Sequence, residues 1–281
     1  MGRQYQRALC FLIIVFLTLV AASCGSGAGL KAPTTISPSL SGTPAAANSP
    51  APAPAGGPAA PPNATVVSSI QDRPNWGKCS SPSCSGGVGT TSTYWMAQFQ
   101  TTPSLSGSSS EFYIAGPAYT DSLFWNDIGA NAAASHFLFD FYVHTDAAAL
   151  AAAEALEFDL VQVVNGKKYN WSTECNYVYG VWDIWNEATQ QWIHSNATCQ
   201  KFTPGTWHHV QWLVERIGSS THYISVTVDG VTQHINSNIA TQPAPASNWM
   251  NSLIVQVQQD LSANPGNGFH EWADKITVSA W

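Results

Sequence analysis

The stretch Ala155-Leu156-Glu157-Phe158-Asp159-Leu160-Val161-Gln162, followed after Val163 and Val164 by Asn165-Gly166, decides how the chain is read. Its bulky, β-prone residues predict a strand, and in a strand side chains alternate between two faces. Glu157 and Asp159 therefore point one way, while Leu156, Phe158 and Leu160 point the other way, toward a core. Asn-Gly is a strong signal for a hairpin turn. With a two-residue loop, Val164 pairs with Lys167, Asp159 faces Ser172, and Glu157 faces Glu174. Three carboxylates then share one patch, and such a cluster needs a shared proton, a cation or a ligand. A loop of three residues would instead turn Glu174 to the other face.

The same reading extends along the chain. His136 to Val143, Leu253 to Asp260 and Lys275 to Trp281 read as strands, and His222 to Ile235 as a hairpin turning at Asp229-Gly230. Only Asp146 to Glu154, rich in Ala, reads as a short surface turn or helix. Residues 64–281 show no second linker and are long enough for one sizeable core. Many strands, with Gly and Pro turns, predict an all-β fold: a two-sheet antiparallel β-sandwich or jelly roll. This part carries seven Lys and Arg against 17 Asp and Glu, which argues against nucleic acid and other polyanions as partners.

Toward the amino terminus the composition changes. Arg3 and Arg7 precede the short apolar run Ala8 to Val20, as in an export signal, and the run is too short to predict a membrane span. Ala21-Ala22-Ser23-Cys24 resembles the bacterial lipobox. That resemblance implies cleavage after residue 23, a lipid anchor on Cys24 and, with Gly25 next, placement at the outer membrane or cell surface. An ordinary secretory signal or a signal anchor is the alternative. Residues 24–63 are Ala, Pro, Ser, Thr and Gly with almost no charge, a composition that predicts an extended, disordered tether.

Beyond Cys24, four cysteines remain, an even number that suits disulfides in an oxidising compartment. Cys79 and Cys84 close a short loop. Cys175 and Cys199 bracket what reads as one hairpin centred near Glu187; pairing Trp185 with Thr189 puts Trp182 opposite Trp192 and Cys175 opposite Cys199. No Cys-x-x-Cys or paired-His spacing suggests a metal site; calcium would explain how several carboxylates coexist, but no calcium-loop spacing is present, so no metal or cofactor is predicted.

Three segments together resemble the concanavalin A-like lectin and glucanase superfamily: Leu156-Glu157-Phe158-Asp159; Trp207-His208-His209-Val210 followed by Val226-Thr227-Val228-Asp229-Gly230; and Asp274-Lys275-Ile276-Thr277-Val278. The resemblance implies a β-jelly roll that binds or cuts glycans on a concave sheet. In the glucanases the first Glu is the nucleophile, the Asp its electrostatic partner and a further Glu the acid/base. Glu157 and Asp159 match the first two, but Val161 or Gln162 stands where the acid/base should be. Gln cannot protonate a leaving oxygen, so the inherited mechanism is broken unless Glu174 supplies the acid from the neighbouring strand.

The reading that follows is a lectin-like domain for a neutral polysaccharide. Its candidate sugar contacts are Glu157, Asp159, Gln256, Gln258 and Asp260, which alternate onto strand faces, and Trp182, Trp185 and Trp192, whose indoles suit stacking on sugar C–H faces. Trp207 and Trp212 are expected in the core. Glu157, Asp159 and Glu174 are the candidate catalytic residues of the alternative, a glycoside hydrolase. A third reading is an envelope adhesion module that recognises another protein.

Overall fold

The computed structural model describes residues 56–83, 91–243 and 250–281. The amino-terminal signal, the lipobox, most of the tether and Cys84 lie outside them. In chain order the strands are β1 (Thr65–Val67), β2 (Gly77–Ser80), β3 (Thr93–Gln100), β4 (Ser109–Ala115), β5 (Asp121–Gly129), β6 (His136–Thr145), β7 (Ala153–Val164) and β8 (Lys167–Asn176). They continue as β9 (Val181–Asn186), β10 (Gln191–Thr198), β11 (His208–Ile217), β12 (Ser220–Val228), β13 (Val231–Ala240), β14 (Gln242–Pro243), β15 (Ser252–Leu261) and β16 (Phe269–Ala280). A short helix, α1 (Ala149–Ala152), occupies part of the segment expected to be helical, and Ala153 and Glu154 already belong to β7.

The strands form two antiparallel sheets. The back sheet runs β13-β12-β11-β6-β16-β4-β3 with β1 beside β16, and the front sheet runs β10-β9-β8-β7-β15-β5-β2 with β14 beside β8. Alternation along β6 shows how the sequence builds this arrangement. Phe137, Phe139, Phe141 and Val143 are buried between the sheets, whereas Asp140, Tyr142 and His144 lie half-buried on the outer side. Phe141 meets Phe158 of the front sheet with ring centroids 4.5 Å apart. Burying a side chain of this size contributes about 1.5–3 kcal/mol.

The β7–β8 hairpin has the expected register: Val164 pairs with Lys167, Asp159 with Ser172 and Glu157 with Glu174. Asn165 (φ 51°) and Gly166 (φ 71°) both adopt the left-handed conformation, which makes the two-residue turn match the strand twist. Asp229 and Gly230 (φ 49° and 82°) do the same between β12 and β13, where Val228 pairs with Val231.

The Cys175–Cys199 segment departs from expectation. It holds two hairpins, not one, because the Asn176 side chain accepts the N–H groups of Val178 and Tyr179 and turns the chain early. Cys175 therefore pairs with Trp182 in the ladder, and Trp185 pairs with Trp192. The disulfide Cys175–Cys199 nevertheless forms, with Cα atoms 5.5 Å apart, tying the end of β8 to the residue after β10. Cys79 is also disulfide-bonded.

Candidate functional site

The outer face of the front sheet gathers the acidic strand. Successive ladder pairs place His194, Asp183, Glu174, Glu157 and Gln258 in one row across β10, β9, β8, β7 and β15. The adjacent row holds Ser172, Asp159, Gln256, Trp125 and Gly77. Side chains two residues apart on a strand share a face, so Trp185 and Trp192 join this face beside Asp183 and His194. Their rings meet edge-on, with centroids 5.1 Å apart. At about 4.8 Å between strands, Trp125 and Trp185 stand roughly 19 Å apart across the sheet.

Each flank is held in place from below or beside. A Cβ on Gly77 would stand 2.2 Å from Trp125 Cε2, so the indole lies over the glycine, and only Gly leaves room for it. Trp185 donates its indole N–H to Glu187, which also pairs with Lys168. Burial alone would raise the pKa of Glu187, but Lys168 and the hydrogen bonds hold it below the ordinary value.

The centre is different in kind. Glu157, Asp159 and Glu174 are 5%, 3% and 6% exposed, although they lie on an outer face, because each is packed among the others and their neighbours. Asn176 Nδ2 donates to Glu174 Oε1 at 3.2 Å and to Asp183 Oδ2 at 2.9 Å. Gln258 Nε2 donates to Asp260 Oδ1 at 3.1 Å, and the Thr173 N–H donates to Asp159 at 3.2 Å. Glu157 Oε2 accepts no hydrogen bond among the described residues. Burial, followed by repulsion from Asp159, Asp260 and Glu174, pushes the Glu157 pKa well up. Burial raises that of Asp159 to about 7, against hydrogen bonds from Glu157, Thr173 and Ser172.

Glu157, Glu174 and Asp260 offer oxygens that all lie within 4.8 Å of one another. Two chemistries relieve such crowding: a proton retained on one carboxyl, or a hard cation held by oxygen ligands alone. In the first, Glu157, whose pKa is raised by burial and by its acidic neighbours, keeps its proton above the usual carboxylate range and can donate a hydrogen bond.

The structure therefore brings Glu157, Asp159, Glu174, Gln256, Gln258, Asp260, Trp185 and Trp192 onto one face. Trp182 does not join them. It is fully buried on the inner side, 5.3 Å from Trp212, because its ladder partner Cys175 continues the inward row of Leu156. Gln162 also points inward and donates to the Asn131 and Ala134 carbonyls. Strand β7 is unbulged opposite β8, so Val161 occupies the third position on the acidic face. His208 and His209 pair separately with Asp229 and Asp140.

Sequence reasoning missed Trp125, Asp183 and His194. Asp183 is fully buried and receives His194 Nδ1 at 2.7 Å, which leaves the other ring nitrogen of a half-exposed imidazole at the end of the polar row. The available signal was the alternation of Trp182, Asp183 and Ile184, obscured by the misplaced turn.

This geometry defines the class: an antiparallel β-sandwich of jelly-roll type with a polar, aromatic-flanked sheet face. No protein-family model matches the chain, and no curated protein matches it. Among solved structures it is similar to the cellulose-induced protein Cip1, with a TM-score of 0.45 and 10% identity over 75% of this chain and 96% of that one. It is also similar to a carbohydrate esterase from the Shiga toxin-encoding bacteriophage phi24B, with a TM-score of 0.44 and 11% identity over 77% and 99%. A third is arcelin-5, a lectin-like defence protein from Phaseolus vulgaris, with a TM-score of 0.40 and 11% identity over 73% and 98%. These figures concern the sandwich and carry nothing about ligand or activity.

Proposed function

We propose that the protein binds a neutral polysaccharide across the outer face of its front sheet. The observation that carries this is the row of amides and carboxylates bracketed by Trp125 on one side and by Trp185 and Trp192 on the other. Indole faces stack on sugar C–H groups, and the Gln and carboxylate groups between them supply donors and acceptors for hydroxyls. The net acidic charge suits a neutral ligand. Incubation with a panel of neutral polysaccharides, recording both retention and released reducing ends, tests the reading. Retention that falls about tenfold in Trp185→Ala and in Trp125→Ala supports it; no retention on any glycan refutes it.

A second reading rests on Glu157 and Glu174, which face each other in one ladder pair with carboxyl oxygens within 4.8 Å. Retaining glycoside hydrolysis uses two carboxyls about 5–5.5 Å apart. With its raised pKa, Glu157 is the proton donor in this version and Glu174 the nucleophile, the reverse of the assignment drawn from the glucanase resemblance. Release of reducing ends that Glu157→Gln abolishes while retention persists would establish it. We further propose residues 1–23 as an export signal, Cys24 as a lipidated first residue and residues 24–63 as a tether at the cell envelope. Mass spectrometry of the mature amino terminus tests this, and Cys24→Ala is expected to release the protein from membranes.

A further inference from the structure

The outer face of the back sheet carries a second organised surface. Trp95 of β3, Tyr113 of β4 and His270 of β16 are successive ladder partners, and their rings touch: Trp95–Tyr113 centroids lie 5.3 Å apart and Tyr113–His270 4.5 Å. His270 stacks on Trp272 at 5.7 Å, Trp272 meets His144 of β6 at 5.2 Å, and His144 meets Trp207 at 5.2 Å. Six rings thus run without a gap across four adjacent strands, about 14 Å from β3 to β6 at ordinary strand spacing. All six are partly exposed, Trp207 among them, which corrects its expected place in the core; Trp212 alone of that pair is buried there.

Alternation explains the strip. Phe112, Ile114, Phe269, Ala273 and Val143 on the same strands are buried against the core, so the intervening residues must face outward. A core has no use for rings there. Solvent alone would favour polar residues at these positions, yet every position in the run is aromatic or histidine.

We propose that this strip is a second glycan-stacking surface, which takes a neutral polysaccharide strand across β3, β4, β16 and β6. Three features select that occupant. Among the described residues no Lys or Arg lies over a ring of the strip, Lys275 covering Tyr142 two residues from His144 instead, and the carboxylate of Glu111 borders the rings, which disfavours a polyanion. The rings run in single file across the strands, whereas a protein interface is a broad patch with an apolar core inside a polar rim. Glu111, held by His270 Nδ1 at 2.7 Å, and the Tyr113 hydroxyl place polar groups along the rings, which matches a ligand with apolar faces and polar edges.

The inference rests on the proposed carbohydrate reading and adds to it a second, independent contact on the opposite face. Two faces engaging one insoluble polysaccharide would act with avidity. The test compares wild type, Trp95→Ala and Trp207→Ala for retention on insoluble neutral polysaccharide and for binding of a short soluble oligosaccharide of the same glycan. Far-UV circular dichroism confirms the fold; Trp207 precedes β11 and is the less structural of the two. The expected result is at least a tenfold loss of retention on the insoluble glycan in both variants, with oligosaccharide affinity at the front face, which Trp185→Ala removes, unchanged. Wild-type retention that survives both substitutions overturns this inference and leaves the front-face reading standing. No retention by wild type overturns both. A wild-type dimer that Trp95→Ala or Trp207→Ala converts to monomer, measured by sedimentation velocity, assigns the strip to a protein partner and overturns the glycan assignment.

Discussion

Replacing Glu271 by Gln should change how stability depends on pH. Glu271 lies on the inner side of β16, fully buried, and neither carboxyl oxygen has a hydrogen-bond partner among the described residues. Its ladder partner is Thr145, and Gln259 and Asp260 of β15 are near enough to affect its titration. Burial first, then the charge of Asp260, pushes its pKa well above the ordinary 4.5. The folded protein therefore keeps this proton at a pH where the unfolded chain has released it. Stability contributed by the protonated group is complete below the unfolded pKa and is lost as pH rises toward the folded one. While the folded carboxyl stays protonated, the loss approaches about 1.4 kcal/mol per pH unit. Gln has the same shape and no proton to lose, so Glu271→Gln should lack this component. Urea denaturation at pH 5, 6, 7 and 8, with disulfides intact, measures it. The difference in stability between variant and wild type should grow in the variant's favour as pH rises above the unfolded pKa, by at most about 1.4 kcal/mol per pH unit. Parallel pH profiles would show that Glu271 is ionised in the fold and would refute the reasoning.

Three further outcomes follow from the geometry. Gly77→Ala should weaken glycan retention as much as Trp125→Ala does, since the new methyl would displace the indole it underlies; equal retention to wild type would show that Trp125 is not a contact. Trp182→Ala should cost about 3–5 kcal/mol in denaturant unfolding, as for other buried aromatic residues, whereas Trp185→Ala should change binding and leave the midpoint nearly unmoved. Loss of the Cys175–Cys199 bridge in Cys175→Ser, which opens a loop with a sequence separation of 24, should lower stability by about 3.5 kcal/mol on the chain-entropy account; an unchanged urea midpoint would contradict it.

How much of this was legible in advance differs from residue to residue. The β7–β8 hairpin was readable because its cause is local: Asn165-Gly166 accepts left-handed backbone, and period-two alternation then fixes which side chains share a face. The same logic gave Gln256, Gln258 and Asp260 a common face. That this face adjoins Glu157 and Asp159 was not readable, because β15 pairs with β7 across nearly a hundred residues of chain. Pairing at that distance is selected by the burial of whole strands and not by any motif. The single-hairpin reading of residues 175–199 failed because one side chain, Asn176, turns the chain two residues after the cysteine and moves Trp182 from the groove to the core.

The sequence by itself thus determined an all-β sandwich, one hairpin register, the Cys175–Cys199 pairing and the alignment of Glu157, Asp159 and Glu174, since each follows from neighbours close along the chain or from cysteine arithmetic. Only the tertiary structure decided that Trp125 and Trp185 flank that cluster from opposite sides, that Asp260 completes it, and that six rings from distant segments line the other sheet. Those are matters of sheet order, and sheet order is set by which apolar faces bury one another once the whole chain has collapsed.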